Sequence, residues 1–338
     1  MAFLFFFLMG YVEDPVLEIM VENRGRYLDR IVYGKVRLQP DGSFLANNFH
    51  MIYHWDEKGR LIRQMGGRGE GPGEFQAISE VLFNGEYYWV VDGARMESSV
   101  FDKNGSFLYR SGARSRQFVQ AGDQLFMVDN SQFNPHGSDY PQVLQEILLK
   151  LDDQSLSVDF KPLRFKKVSQ RQKDFRMNFK LVWMVREGDR YLLVDQLEPK
   201  IRIYDKSAIE RESQTDLAQP FEPDFLPLNL KHWVEPPESM VSGFANNNKM
   251  LQWWQSWSRI NFFDHAGDGF VIAYETPDPA DPNNNLQVIQ RLEKTGANAG
   301  KPLVVDGLCM GVRNNLAYIF TPDEKGDEFK YYIRAYNL

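Results

Sequence analysis

From Ile31 onward the chain alternates between short apolar runs and polar turns, and most of the turns carry a glycine. The first stretch reads IVYGKVRL, a Pro40–Gly42 turn, SFLANN, HMIYHWD, a Lys58–Gly59 turn and RLIRQMG. Period-two alternation bounded by such turns predicts β-strands, and X-Gly pairs between them predict tight antiparallel hairpins. The same grammar returns in ISEVLFN, YYWVVDG, SSVFD and SFLYR, with turns at Asn84–Gly85 and Asn104–Gly105. Four further stretches follow it less strictly, the last ending in KYYIRAYNL at the C-terminus. A four-stranded unit repeated in this way cannot bury its faces alone and must stack on its neighbours. The predicted fold is all-β, a six-bladed β-propeller of four-stranded antiparallel blades.

Third strands are expected to end at Asp56, Asp102, Asp152, Asp205, Glu293 and Asn337. The longest interval, from Asp205 to Glu293, is assigned to an irregular or helical insertion before the fifth unit, over about 210–257. Pro220, Pro223, Pro227, Pro236 and Pro237 break its first half, and Ser239–Trp257 is long enough for a helix. A degenerate seventh unit hidden there is the other reading. The last unit ends one strand short. Val16–Val21 or Ile31–Leu38 is available to close it, which would remove the exposed sheet edges.

Residues 13–338 are read as one domain. Ala2–Met9 is a run of apolar residues too short to span a bilayer. Residues 1–12 are either the remnant of an export signal or a strand packed on the domain. No transmembrane span is predicted. A net charge of −7 argues against a nucleic-acid partner. The single cysteine, Cys309, rules out an internal disulfide and any CxxC metal site.

Between the first two units lies Gly66–Phe75, GGRGEGPGEF, with five glycines and one proline. It is flanked by two copies of an aromatic–Asp–x–x–Gly turn, Trp55–Gly59 and Phe101–Gly105. The loop residues Gly66, Gly69, Gly71, Pro72, Gly73, Glu74 and Phe75, with those turns, resemble the bacterial six-bladed β-propeller family found among envelope lipoproteins of gut anaerobes. VVDGARMESSVFDKNGSFL looks like an NHL repeat. The resemblance is specific only over Gly66–Gly112 and implies a propeller of the cell envelope or periplasm, with no settled activity. Tyr11 stands after Gly10 where a lipoprotein would have its acylated cysteine, so the anchor does not carry over.

Loops joining one unit to the next, and those joining second to third strands, share one face of a propeller. The Gly66–Phe75 loop is therefore expected at the channel mouth. Its glycines would let backbone N–H groups approach a ligand, and Arg68 would pair a carboxylate or phosphate. Alternatively, it is a tight crossing in which Arg68 pairs Glu70 or Glu74. Second strands end on that face at Asp92, Asp129, Asp195 and Glu275, with Asn47 and Asn48 in the first unit. Such a ring either holds Ca²⁺ or another hard cation, or its members hydrogen-bond their own turns. The sequence requires no cofactor. Among His50, His54, His136, His232 and His265 no zinc spacing occurs. Trp253, Trp254 and Trp257 either stack on a sugar or a partner protein, or fill space between blades.

The leading expectation is a non-enzymatic propeller binding a protein, peptide or glycan ligand at the channel-mouth face. The ligand-binding residues would be Arg68, Glu70, Glu74, Asp92, Asp129, Asp195, Trp253, Trp254 and Trp257. The rivals are a metal-assisted lyase or hydrolase of the NHL-like type, with a divalent ion in the channel, and a structural subunit of an envelope assembly.

Overall fold

A computed structural model describes residues 14–21, 36–112, 118–121, 124–129, 142–151, 156–165, 182–195, 199–205, 215–216, 256–278, 285–323 and 330–338. The chain is a β-propeller of four-stranded antiparallel sheets, which are numbered here in chain order. Sheet one holds β2 (Arg37–Leu38), β3 (Phe44–Asn47), β4 (Met51–Trp55) and β5 (Leu61–Gly66). Sheet two holds β6 (Ile78–Phe83), β7 (Tyr87–Asp92), β8 (Glu97–Asp102) and β9 (Phe107–Gly112). Sheet three holds β10 (Phe118–Ala121), β11 (Gln124–Asp129), β12 (Gln142–Leu151) and β13 (Leu156–Phe165). Sheet four holds β14 (Val182–Glu187), β15 (Arg190–Asp195), β16 (Ile201–Asp205) and β17 (Thr215–Asp216). Sheet five holds β18 (Arg259–Ala266), β19 (Gly269–Pro277), β20 (Asn285–Leu292) and β21 (Leu303–Val305). Sheet six holds β22 (Leu308–Arg313), β23 (Leu316–Asp323) and β24 (Lys330–Asn337), and takes its outermost strand, β1 (Leu17–Met20), from the other end of the chain.

That last pairing runs antiparallel from Leu17↔Ala335 to Met20↔Tyr332. It covers the edge of β24 and ties Leu17–Met20 and Lys330–Asn337, far apart in the sequence, into one sheet. Sheet one then packs against sheet six through β2 and β22.

The repeated turns have a common construction. Trp55 and Phe101 are buried at strand ends, each beside a β-bulge. The following aspartate reaches back to its own loop: Asp56 Oδ1 accepts the N–H groups of Lys58 and Arg60 at 2.9 Å, and Asp102 Oδ1 accepts those of Asn104 (2.9 Å) and Ser106 (2.7 Å). Gly59 and Gly105 sit at φ 77° and 83°, which a side chain would oppose. Glu293–Ala297 repeats the same backbone bonds.

The apolar cores lie between successive sheets. Leu45, Ile52 and Met65 of sheet one meet Ile78, Tyr88 and Phe101 of sheet two. Val185 and Leu192 of sheet four meet Phe263 and Ile272 of sheet five. Phe262 and Val271 of sheet five meet Ala317 and Ile319 of sheet six. Trp55 and Phe44 of sheet one meet Phe320 and Ile333 of sheet six.

The expected insertion needs a correction. Thr215 and Asp216, placed inside it, pair with Ile203 and Arg202 as the fourth strand of sheet four. Two residues with no apolar period give a sequence no strand signal, yet the free edge of β16 recruits them. The proposed helix over Ser239–Trp257 falls outside the described residues except for Ser256–Trp257, which form a turn and bend, and no helix occurs among the described residues. Residues 1–12 lie outside the description as well.

Candidate functional site

The Gly66–Phe75 loop is a folded crossing held on both sides. Phe75 is buried between sheets one and two, 6.1 Å from the Phe101 ring. Its N–H donates to Gly67 O at 2.8 Å, and its carbonyl lies 3.1 Å from Nδ1 of His50. Glu74 turns inward, and its carboxylate accepts the Gly71 N–H at 2.8 Å. A Cβ at Gly69 would meet that carboxylate, which would have to swing aside. The concavity that the glycines open toward an anion is thus filled by the loop's own acid. Arg110, on the outermost strand of sheet two, donates to Glu70 O (3.1 Å) and Gly71 O (2.6 Å). The tip is therefore held against Arg110 on the outermost strand of sheet two. Arg68 is exposed and makes no ion pair with Glu70, Glu74 or any other described residue; Glu70 instead accepts from Gln76 Nε2 at 3.2 Å.

Asp92 is 3% exposed and fully engaged. Oδ2 accepts the Gln76 N–H (2.7 Å), and Oδ1 accepts those of Ala77 (3.1 Å), Ala94 (3.1 Å) and Arg95 (3.2 Å). One carboxylate thereby ties the crossing loop to the turn after β7. Asn48 does the equivalent work in sheet one, its Oδ1 accepting the N–H groups of His50 (2.9 Å) and Met51 (2.7 Å). Both side chains thus spend acceptor bonds on their own loops, as capping residues of turns do. Asp129 and Asp195 end β11 and β15, but their side chains lie outside the described residues.

Glu275 belongs to a separate polar cluster at the top of sheet five. It pairs with the buried Arg259 and accepts from Asn261 Nδ2 at 3.3 Å. Burial pushes the Arg259 pKa down, and the Glu275 charge opposes that shift. Asn261 and Gln287 exchange two amide bonds, at 2.7 and 3.1 Å. Asn261 reaches this position because it is the extra residue of a β-bulge between Ile260 and Phe262. Trp257 is half-buried just before β18, while Trp253 and Trp254 lie outside the described residues. Among the described residues no group of three or more His, Cys, Asp or Glu side chains is gathered closely enough to hold a metal ion.

The innermost strands enclose a cavity of about 360 Å³ on the axis. Its wall draws on β2, β10, β14, β18 and β22, so five of the sheets contribute. Apolar groups such as Val36, Trp183 and Leu308 alternate there with Gln39, Asn261 and Asp264. Arg37 also lines it and is bound to Glu80 of sheet two. Cys309 lies in the same wall, and burial pushes its thiol pKa up to about 12. The sequence reading passed over Asn261 and Asp264. The available signal was Asn261 and Asp264 interrupting the apolar positions of RINFFDHA, an inner strand.

Within the described residues no helix is long and apolar enough to cross a membrane. The sequence matches no protein-family model and no curated protein. Solved structures do resemble it. One is a candidate exported protein from Bacteroides fragilis NCTC 9343, with TM-score 0.53, 13% identity, and 95% of each chain covered. Another is a member of the DUF4221 family from Bacteroides vulgatus ATCC 8482, with TM-score 0.54 and 11% identity, covering 95% of this chain and 97% of that one. At such identities the likeness is one of fold, and the fold that this chain shares with both is the β-propeller.

Proposed function

We propose that this chain is a non-enzymatic binding propeller of the bacterial cell envelope, built as six blades and taking its ligand at the axial opening. The observation that carries the reading is the cavity of about 360 Å³ walled by side chains from five separate sheets. That volume falls in the range of small-ligand sites, and convergence of a few polar groups in an apolar wall is how such sites fix orientation. The envelope assignment draws on the apolar Ala2–Met9 run and on the fold-related B. fragilis protein, itself named as a candidate for export. Arg68, exposed on the loop side and without an ionic partner among the described residues, is the upper-face group we assign to contact with a larger peptide or glycan ligand.

The test is a thermal-shift screen of metabolites, short peptides and oligosaccharides, run on the wild type and on Val312→Phe. Val312 is half-buried in the cavity wall, so the larger ring would occupy ligand space. A ligand at a hundredfold excess over its Kd stabilises by about 2.7 kcal/mol. The expected result is a saturable hit that Val312→Phe abolishes. A hit unaffected by that variant would move the site elsewhere. Fractionation of the native cell tests the compartment, and recovery in the cytosol would overturn the envelope assignment.

A further inference from the structure

Among the described residues, the axial wall carries the charged side chains of Arg37, Arg313 and Asp264, whose partners decide what it will accept. Arg37 is bound to Glu80. Arg313 packs its guanidinium on the Pro40–Gly42 turn, where a Cβ at Gly42 would collide with it, and its charge acts on the Asp41 carboxylate there. Both cations are thereby turned toward acids of the protein. Asp264 differs. Its Oδ1 accepts the N–H of the next residue, His265, at 2.7 Å, and Oδ2 has no partner among the described residues.

The surroundings of Asp264 are apolar by construction. Phe262 and Ala266 flank it on the same face of β18 and pack against Cys309 and Ile319 of sheet six, and its cross-strand partner is Val271. His265 turns its ring the other way, with Nε2 3.0 Å from Arg186 O, although its charge still favours the Asp264 carboxylate. Burial pushes the Asp264 pKa up. Asp264 is half-buried, so the oxygen without a partner among the described residues is open to whatever enters the cavity, and in so apolar a wall a proton or a positive charge is the best match for it.

We propose that Asp264 makes the axial cavity a site for a small ligand bearing an ammonium head on an apolar body. The head would meet Oδ2, Asn261 and Gln39 would orient the remaining polar groups, and the apolar stem would lie along Val36 and Leu308. A bare divalent ion fits less well, since it demands several more oxygen ligands than this wall presents among the described residues. The inference rests on the reading of the axial cavity as the binding site.

Three probe series of matched shape test it by calorimetry and thermal shift at neutral pH: butylamine, benzylamine and tryptamine; butanol and benzyl alcohol; butyrate and benzoate. The amines are expected to bind and the alcohols and acids to bind at least about tenfold more weakly. Asp264→Asn, which keeps the shape, is expected to weaken the amines by roughly tenfold to a hundredfold and to leave the alcohols unchanged. The comparison among probes on the wild type stands even if the variant misfolds. Alcohols or acids binding as well as the amines, or amines binding Asp264→Asn undiminished, would overturn the ammonium assignment while leaving the cavity as a site. Amines failing to bind at all would also overturn it, and the broader screen then judges the cavity separately.

Discussion

Nδ1 of His54, in sheet one, lies 2.5 Å from the phenolic oxygen of Tyr88, in sheet two, and the two rings meet edge to face with centroids 5.7 Å apart. The other nitrogen, Nε2, is 2.7 Å from Ser43 Oγ, whose hydroxyl donates to Asp41 Oδ1 at 2.6 Å. Because Ser43 spends its proton on Asp41, it must accept from Nε2–H. His54 is then the Nε2–H tautomer, and Tyr88 donates to Nδ1. A directed chain of hydrogen bonds thus runs from Tyr88 through His54 and Ser43 to the turn between β2 and β3, crossing a sheet boundary inside the core.

This chain predicts an acid-sensitive joint. Burial pushes the His54 pKa from 6.5 down to about 4. The unfolded chain therefore binds more protons between those values, and stability falls as pH drops from 6.5 toward 4. The His54 contribution is about 3 kcal/mol at most. Urea melts across this window should show a steeper loss for the wild type than for His54→Gln, which is expected to start about 1–3 kcal/mol less stable at neutral pH. Parallel pH profiles for the two proteins would refute the linkage.

Asp92 is expected to matter for stability. Replacing it with alanine strands four backbone N–H groups and should cost about 3 kcal/mol or more by chemical denaturation. Asparagine, which retains one acceptor oxygen, should recover part of that. A cost below about 0.5 kcal/mol for the alanine variant would show that the crossing loop does not depend on it.

Phe75 plugs the gap between sheets one and two from the glycine-rich loop. Phe75→Ala leaves a void beside Phe101 that the closed sheets can fill only in part, and should cost about 3–5 kcal/mol. Arg68→Ala, by contrast, should leave the melting curve within about 0.5 kcal/mol of the wild type. Equal effects from the two would contradict the packing described.

Cys309 should be chemically silent in the folded protein. The residue is 4% exposed, and burial pushes its thiol pKa up to about 12, so little thiolate forms near neutrality. Iodoacetamide should label it only after denaturation, as read by intact mass. Stoichiometric labelling of the native protein would mean that the cavity wall opens.

Much of the scaffold was legible from turns. Lys58–Gly59 and Asn104–Gly105 marked hairpins that the structure builds with aspartate-capped loops, and third strands end within a residue of Asp56, Asp102, Asp152, Asp205, Glu293 and Asn337. These signals are local, and local chemistry decides them. Thr215–Asp216 was illegible because a two-residue strand takes its conformation from the edge it joins. The role of Asp92 was half legible: a turn-capping aspartate was one of the two readings, but its bonds to Gln76 and Ala77 depend on a loop that arrives from the preceding sheet. The axial cavity could not be read at all. Its wall combines Val36, Ala121, Val185, Asp264 and Met310, far apart in the chain, and only closure makes them neighbours.

The pairing of Leu17–Met20 with Lys330–Asn337 sets a schedule for maturation. Translation makes β1 well before its partner β24, so sheet six stays incomplete until β24 has been made. Contacts of such long sequence separation form slowly, and an unpaired β24 edge invites association with other chains in the interval.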